Sequence, residues 1–456
     1  MQYFVYRGKI IKKVGFLGLG KSNIAIMEYI SRHYPNVKFT VRCKNEIRLP
    51  DFNITHSYFG ENALSNISED VLFLSPSARR DVCEIEDAQN RGVIISSDAE
   101  LFFDSTSADV FAVTGSDGKS TTTYLSSMLL SQRYNKCIPA GNIGVALSSQ
   151  IDNPATYAYV AELSSFQLMY MKPGTKRCVI TNISENHLNW HTSYSEYINA
   201  KRNIFEKSNQ RIINYDCEVT RSLASDYPIF AVFSNKYSES EIRKNLFADV
   251  YITRDGFYIR SSESHLLDVR DMKISGEHNI LNFMAAISLS YGLCDESHIT
   301  QVAKSFCGLS HRCERIGCFH GVNYYDSSID SSPKRCKATL EMMNERVILI
   351  LGGRSKGLDF SELAPTLARK AKHIILTGEC ADEIEQTLLS SREFQKSGIS
   401  YIKKSSFEDA VKCAISTSKH GDTVLLSPAA TSYDSFSGFE ERGNAFKRIV
   451  KDICGY

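Results

Sequence analysis

Val110-Phe111-Ala112-Val113-Thr114-Gly115-Ser116-Asp117-Gly118-Lys119-Ser120-Thr121 is the stretch on which the reading of this chain turns. Val110–Thr114 has the length and apolar character of a buried strand, and it leads through two glycines into a helical pattern. Glycines let successive backbone N–H groups face an anion, and a helix N-terminus adds the positive end of its dipole. Lys119 is placed to neutralise β- and γ-phosphates, and the Ser120 hydroxyl to ligate Mg²⁺. The general phosphate-loop pattern also asks for glycine at position 113, where Val113 stands, so the spacing is the shorter Gly-x-x-Gly-Lys-Ser. Gly115, Ser116, Asp117, Gly118, Lys119, Ser120 and Thr121 are the candidate ATP-binding residues.

Outward from this loop the chain reads as three α/β segments, 1–97, 98–308 and 309–456. In the first, Val14–Leu17 precedes Gly18-Leu19-Gly20 and a helical pattern through Ile24, Met27 and Ile30, the start of a Rossmann-like unit. Apolar runs follow at Val71–Leu74 and Gly92–Ile95. The central segment adds strands at Ala158–Ala161 and Cys178–Thr181 and a helix over Ile280–Leu293. The third has apolar runs at Val347–Leu351, His373–Thr377 and Thr423–Leu426, separated by helix-like stretches. Alternation of strand and helix predicts parallel sheets covered by helices in an α/β fold of three domains. The domains are a Rossmann-like N-terminal domain, a central P-loop ATPase-like domain and a C-terminal Rossmann-like domain.

Composition narrows the function class. With 53 Lys plus Arg against 52 Asp plus Glu, the chain of 456 residues is nearly neutral, which gives no support for bulk nucleic-acid binding. Thirteen cysteines, an odd number with no Cys-x-x-Cys pair, do not form a disulfide framework. No run of 18 apolar residues predicts a membrane span, and Met1 to Val14 has no long apolar stretch of the kind a secretory signal carries. A reducing cytoplasm fits these features.

Further motifs fall in a fixed order. Gly141-Asn142-Ile143-Gly144 is followed by Ala161-Glu162-Leu163-Ser164-Ser165-Phe166-Gln167-Leu168, Asn186-His187-Leu188-Asn189 and Tyr197-Ile198-Asn199-Ala200-Lys201. Gly276-Glu277-His278-Asn279 with Asn282 comes next, then His311-Arg312. Leu426-Ser427-Pro428-Ala429-Ala430-Thr431-Ser432 and Phe439-Glu440-Glu441-Arg442-Gly443 close the chain. This ordered set resembles the Mur ligases over essentially the whole length. The run from Glu162 and the Ser-Pro-Ala segment resemble the branch of that family that adds D-glutamate.

The resemblance implies an ATP-dependent ligase that activates a carboxylate as an acyl phosphate and joins it to an amine. Its substrates would be ATP, UDP-N-acetylmuramoyl-L-alanine and D-glutamate, with no nucleic-acid or membrane partner and a monomer as the working unit. It implies catalytic roles for Lys119, Glu162, His187 and Lys201, and two Mg²⁺ ions held by Ser120, Glu162, His187 and Lys201. Lys201 would act as its carbamate, N6-carboxylysine, because a carbamate turns a cation into an anionic oxygen ligand. From sequence physics alone Lys201 reads as a solvated helical lysine and His187 as an exposed loop histidine. Asn279 and Asn282, three apart and so on one helix face, would lie at the adenine, and Arg312 would reach the phosphates. Ser22, Arg42, Ser75 and Asn142 would meet the UDP-sugar, and Lys356, Ser432, Phe439 and Ser331 the glutamate.

The chain also departs from the family pattern. The usual Asn-Asp-Ser-Lys-Ala-Thr run reads Asp326-Ser327-Ser328-Ile329-Asp330-Ser331, which shifts the acidic residue and loses the lysine. Asn186 stands where an aspartate is common, and Lys21 where an apolar residue is expected. Asn23 replaces the third glycine of the dinucleotide fingerprint and no acid ends the second strand, so a dehydrogenase is disfavoured. A folylpolyglutamate-type ligase, a relative using another amino acid, and a nucleotide-binding homologue without activity stay open at this point.

Overall fold

Asp109–Thr114, the strand that feeds the phosphate loop, runs through the interior of a nine-stranded sheet in the computed structural model, which describes residues 3–262, 264–354 and 357–455. Val110 to Thr114 are all buried, as a parallel strand covered on both faces requires. Across the sheet the order is His265–Asp268, Tyr258–Arg260, Ala248–Asp255, Ile229–Ser234, Lys207–Asn214, Gly174–Ile180, Asp109–Thr114, Tyr157–Glu162, Lys136–Gly141. The first two pairings are antiparallel, on either side of Tyr258–Arg260, and the remaining six are parallel. Strand order reverses around Asp109–Thr114, which puts a binding crevice at the carboxyl ends of this strand and its neighbours.

The helix expected at Ile280–Leu293 spans Glu277–Ser290, and Asn282 through Ser290 are buried without interruption. Burial on nearly all sides is why its sequence is apolar all round. Gly174–Ile180 is the strand expected at Cys178–Thr181; it begins in the polar Gly174-Thr175-Lys176-Arg177, whose side chains gave no apolar signal. Arg177 is satisfied inside by donating to the carbonyls of Leu289 and Tyr291.

The N-terminal sheet is wholly parallel, in the order Ile54–Phe59, Lys38–Cys43, Lys13–Leu17, Val71–Leu74, Ile94–Ser96. A hairpin that carried no clear sequence signal, Phe4–Tyr6 with Lys9–Ile11, buries Phe4, Tyr6 and Ile11 in the same core. The C-terminal sheet runs Glu314–Phe319, Val322–Asp326, Thr423–Leu426, Val347–Gly352, Ala371–Thr377, Ser400–Lys403, with only the first pair antiparallel. The three α/β domains lie in two compact bodies, Met1–Phe306 holding the first two sheets and Cys307–Tyr456 the third. No helix among the described residues is long and apolar enough to cross a membrane.

One expectation is corrected here. Arg42, a candidate for the uridine nucleotide, is turned into the N-terminal domain. Its side chain is 1% exposed and pairs with Glu69, 3% exposed, at 2.9 Å. It also donates to the carbonyls of Ala63, Ser65 and Asn66. A charge this deep is tolerable only with its partner and its hydrogen bonds in place, so Arg42 holds the 63–69 segment to the sheet and does not face a ligand. Arg42→Ala leaves Glu69 buried without a cation. We expect it to lower stability by about 3–5 kcal/mol, measured by urea unfolding; a variant as stable as the parent would show that the pair carries no weight.

Candidate active site

The phosphate loop is locked from behind. Gly118 caps the helix Lys119–Leu130 with φ of 76°, and a Cβ there would lie 2.2 Å from the Asn282 Oδ1. Gly115 has φ of 152°, and its Cβ would meet the Thr181 hydroxyl at 1.9 Å. Both positions therefore require glycine for conformation and for space. The Ser116 N–H donates to the Asn182 carbonyl and the Asp117 N–H to the Asn182 side chain, while the Ser116 hydroxyl meets the Tyr197 phenol at 2.8 Å. The loop is thus held before any anion arrives. The first-turn N–H groups of Lys119–Leu130 have no partner within their own helix. Lys119 folds back to donate to the carbonyls of Gly115 and Ser116, at 2.9 and 2.8 Å. Ser120 and Thr121 are buried at the start of the helix.

Glu162 ends the neighbouring strand, where it registers with Val113 on one side and Gly141 on the other. It is 1% exposed. One carboxylate oxygen accepts from the Asn142 amide at 2.8 Å, and the other is buried with no hydrogen-bond partner. A buried carboxylate oxygen can only accept, so it calls for a proton donor or a cation. A divalent ion fits that need. Asn142, expected at the sugar nucleotide, gives its amide to Glu162 here.

Lys201 lies on the other side of the loop, in the helix Tyr194–Arg202. It is 2% exposed and donates to the Gly115 carbonyl at 2.7 Å. The reading of Lys201 as a solvated lysine fails because Tyr197 and Lys201, four apart, share the buried face of this helix. Its ammonium sits 4.8 Å from the Tyr197 ring centre. Burial, and next the Lys119 cation, push the amine well below the ordinary lysine range, against the opposite pull of Glu162 and Asp117. Lys119, Glu162 and Lys201, far apart in sequence, are thereby gathered at one loop.

His187 tops a turn with φ of 55°, and its carbonyl accepts from the N–H groups of Trp190 and His191. Its ring is exposed and packs edge-on against Phe166, with centroids 5.0 Å apart. Phe166 lies four residues beyond Glu162, so the turn sits against the segment that leaves the Glu162 strand. His191 is buried between the Ser165 hydroxyl at 2.9 Å and the Glu196 carboxylate at 3.1 Å, and burial pushes it below the ordinary histidine range. Asn279 and Asn282 share a helix face; Asn282 donates to Asn279 at 3.4 Å and backs the loop through Gly118.

In the N-terminal domain, Ser22 and Ser75 flank the carboxyl ends of Lys13–Leu17 and Val71–Leu74, adjacent strands where the order reverses. Asn23, at the place of the missing third glycine, is fully buried, and its amide donates to the Gly18 carbonyl at 2.7 Å and the Leu17 carbonyl at 3.3 Å. It fills the space that a dinucleotide fold keeps open for close helix–strand packing.

The second body has its own cluster. Arg442, quoted in the sequence without a role, is 2% exposed. It donates to the carbonyls of Ser328 and Ala430 and to the Ser328 hydroxyl. Burial draws its pKa down to about 10. Ser328 in turn donates to the Phe439 carbonyl at 2.8 Å. The loop with Ser331, the segment with Ser432 and the helix start at Phe439 therefore converge on one arginine. Arg312 is exposed in this body, and Lys356 lies outside the described residues. Asp326, the displaced acid of the departure noted above, points inward and pairs with the His311 Nδ1 at 2.6 Å. His311, Glu314 and Asp326 stand close enough together to hold a cation, but the Lys447 ammonium already lies 2.5 Å from Glu314 and 3.8 Å from Asp326.

Comparison with known proteins gives the family. The family description "Mur ligase middle domain" matches residues 113–290, and "Mur ligase, glutamate ligase domain" matches residues 311–430. The chain is 38% identical to the UDP-N-acetylmuramoylalanine–D-glutamate ligase of Acetivibrio thermocellus, over 97% of each chain. It is 36% identical to the protein of the same name from Ruminiclostridium cellulolyticum, again over 97% of each. Among solved structures, the UDP-N-acetylmuramate-alanine ligase of Thermotoga maritima superposes with a TM-score of 0.60 at 18% identity, covering 97% of this chain and 99% of that one. That likeness is one of fold.

Arg442→Ala should strip donors from Ser328 and Ala430 at once. A loss of about 3 kcal/mol or more in the stability of the second body is expected, followed by denaturant unfolding. Arg442→Lys should restore only part of it, because one ammonium cannot span the set that a guanidinium fork reaches. Full stability of both variants would contradict the role given to this residue.

Proposed function

The chain belongs to the Mur ligase family, and from that premise we propose that it joins D-glutamate to UDP-N-acetylmuramoyl-L-alanine with ATP as the source of energy, a step in peptidoglycan precursor synthesis. The observation that carries the reading is the meeting of a rigid phosphate loop with an unsatisfied buried carboxylate and a buried lysine. The names and near-complete coverage of the curated relatives support the substrate. The substrate carboxylate attacks the γ-phosphorus, ADP leaves, and an acyl phosphate forms. The glutamate amine then attacks the carbonyl carbon, phosphate departs with the C–O bond, and the amine loses a proton.

We assign the residues as follows. Lys119 and the amides of Gly118 to Thr121 hold the β- and γ-phosphates. Ser120 and Glu162 would hold one Mg²⁺, and His187 with Lys201 a second; bound Mg²⁺ would screen the crowded charge of phosphates and carboxylate. For Lys201 to be a ligand it must carry a carboxyl group. Its nitrogen adds to the carbon of CO₂, a new N–C bond forms, and one proton is released. Support comes from its burial and from an amine pushed toward the neutral form, which is the nucleophilic one. Asn279 and Asn282 lie at the adenine end, Ser22 and Ser75 face the sugar nucleotide, and Ser331, Ser432 and the Phe439 backbone receive glutamate. The reaction belongs to the cytoplasm, where ATP is available, and needs one copy of the chain.

Phosphate release should appear with UDP-N-acetylmuramoyl-L-alanine and D-glutamate together and stay at background when L-glutamate or another amino acid replaces it. Release that peaks with a different amino acid would overturn the substrate assignment. Glu162→Gln should lower turnover by roughly 10²-fold or more with the fold intact, since a neutral amide cannot replace an ion-binding carboxylate. Acidity supplies a further test. The folded Lys201 pKa lies below the ordinary lysine value, so the amine is protonated only as pH falls through that lowered value, and protonation blocks carbamate formation. Activity should therefore drop on the acid side and after CO₂ removal, and return with bicarbonate. Lys201→Ala should abolish both the activity and the bicarbonate response; a fully active Lys201→Ala would sink the carbamate.

A further inference from the structure

His187 stands on a turn that is fixed in part from another domain. The Trp190 indole N–H donates to the Ser77 carbonyl at 2.8 Å, and the Trp190 carbonyl accepts from Arg79 at 2.7 Å. The Arg79 guanidinium also lies over the Trp190 ring, 4.9 Å from its centre, and bonds Glu196 at 3.1 Å. Glu196 accepts from the Thr192 N–H at 2.9 Å and faces the His191 Nδ1 at 3.1 Å. With Glu196 on one ring nitrogen, the other nitrogen of a neutral His191 accepts from the Ser165 hydroxyl at 2.9 Å. Phe166, next in sequence, packs at a tilt against Trp190, with centroids 4.5 Å apart, and edge-on against the His187 ring at 5.0 Å.

Ser77 and Arg79 belong to the segment that leaves the strand Val71–Leu74, two and four residues beyond Ser75. That segment borders the crevice where strand order reverses in the N-terminal domain. One short piece of chain thus faces the candidate sugar-nucleotide crevice through Ser75 and grips the histidine turn through Ser77 and Arg79. Ser165, His191 and Glu196 are spaced like a hydrolytic triad, but Ser165 is 2% exposed and His191 1%, so neither is open to attack a substrate. What the arrangement can do is fix the turn.

We propose that Trp190, Arg79, Glu196 and His191 are positioning residues that couple occupation of the sugar-nucleotide crevice to the placement of His187. The inference rests on the reading of His187 as a metal ligand. Ligand in the crevice orders the Ser75–Arg79 segment. That segment fixes Trp190 and Glu196, and the turn then presents His187 in one orientation. By linkage the same coupling makes metal at His187 tighten the sugar nucleotide by an equal factor. The coupling requires that this chain of packed rings and hydrogen bonds have two arrangements, gripped and released, whose balance both sites bias.

The test uses the full chain with bicarbonate present, Mn²⁺ as the metal probe and UDP-N-acetylglucosamine as the crevice probe. This sugar nucleotide lacks the lactyl carboxylate that could touch metal directly. In the unaltered protein the probe should tighten Mn²⁺ binding by about fivefold or more, the low end of ordinary allosteric coupling. His187→Ala should remove the response. Trp190→Phe keeps an aromatic ring against Phe166 but loses the Ser77 bond, and Arg79→Gln loses the pair with Glu196; both should bring the ratio close to one while each probe alone still binds. Arg79→Lys should recover part of the ratio, which general loosening of the fold would not produce. An unchanged ratio in Trp190→Phe and Arg79→Gln, or no ratio in the unaltered protein that still releases phosphate with D-glutamate, would overturn the coupling alone. Absence of that phosphate release would overturn the proposed function and this inference with it.

Discussion

A carboxylate buried with one oxygen unsatisfied is the constraint around which the central domain is organised. Glu162 keeps one oxygen on Asn142 and leaves the other without a hydrogen bond in the interior. Such an atom costs folding free energy unless a cation meets it. Lys201 cannot simply answer that need as an ammonium, since it is itself desolvated and stands near Lys119. Three charged side chains crowd one glycine loop, and the surrounding scaffold has to hold them. It does so with bonds that carry no catalytic role: Asn182 on the loop backbone, Thr181 on the Asp117 carbonyl, and the Tyr197 phenol on Ser116. Preorganisation of this kind lets a site stabilise charge without rearranging when the charge develops.

The second body solves a different problem with similar means. Its candidate ligand segments come from three distant stretches, and Arg442 gathers two of them directly and the third through Ser328. A guanidinium suits this task because its donors lie in one plane at fixed angles. The nearby cluster of His311, Glu314 and Asp326 resembles a cation site in its ligand types, yet Lys447 supplies the positive charge. Gly443 allows the approach, since a Cβ there would lie 2.1 Å from the His311 ring. Helix, strand and loop are thus pinned together by charges satisfied within the protein.

Much of the fold was legible because its signals are local. Val71–Leu74 and Thr423–Leu426 occur where the apolar runs place them, and Asp109–Thr114 and Tyr157–Glu162 differ from the expected strands by only one or two residues. The phosphate loop was legible for the same reason: strand, glycine turn, lysine and helix are adjacent in sequence. The strands Tyr258–Arg260 and His265–Asp268 and the hairpin at Phe4–Ile11 were not, because none of them offers four consecutive apolar residues and all are too short to display a period. Arg42 was misread toward a ligand because nothing beside it in sequence reveals Glu69, 27 residues away, as its partner.

The sequence by itself determined the alternating α/β architecture, the phosphate loop and the ordered motifs that resemble one ligase family, since all of these are written in short-range spacing. Only the tertiary structure decided which polar residues are inside. Lys201 has the sequence surroundings of a solvated lysine and becomes a buried one because the helix Tyr194–Arg202 turns its Tyr197 face to the phosphate loop. Nothing beside Trp190 and Glu196 in sequence reveals Ser77 and Arg79, more than a hundred residues earlier, as their partners. The physical reason is that desolvation and hydrogen bonding depend on neighbours in space, and for these side chains the neighbours that matter come from distant parts of the chain.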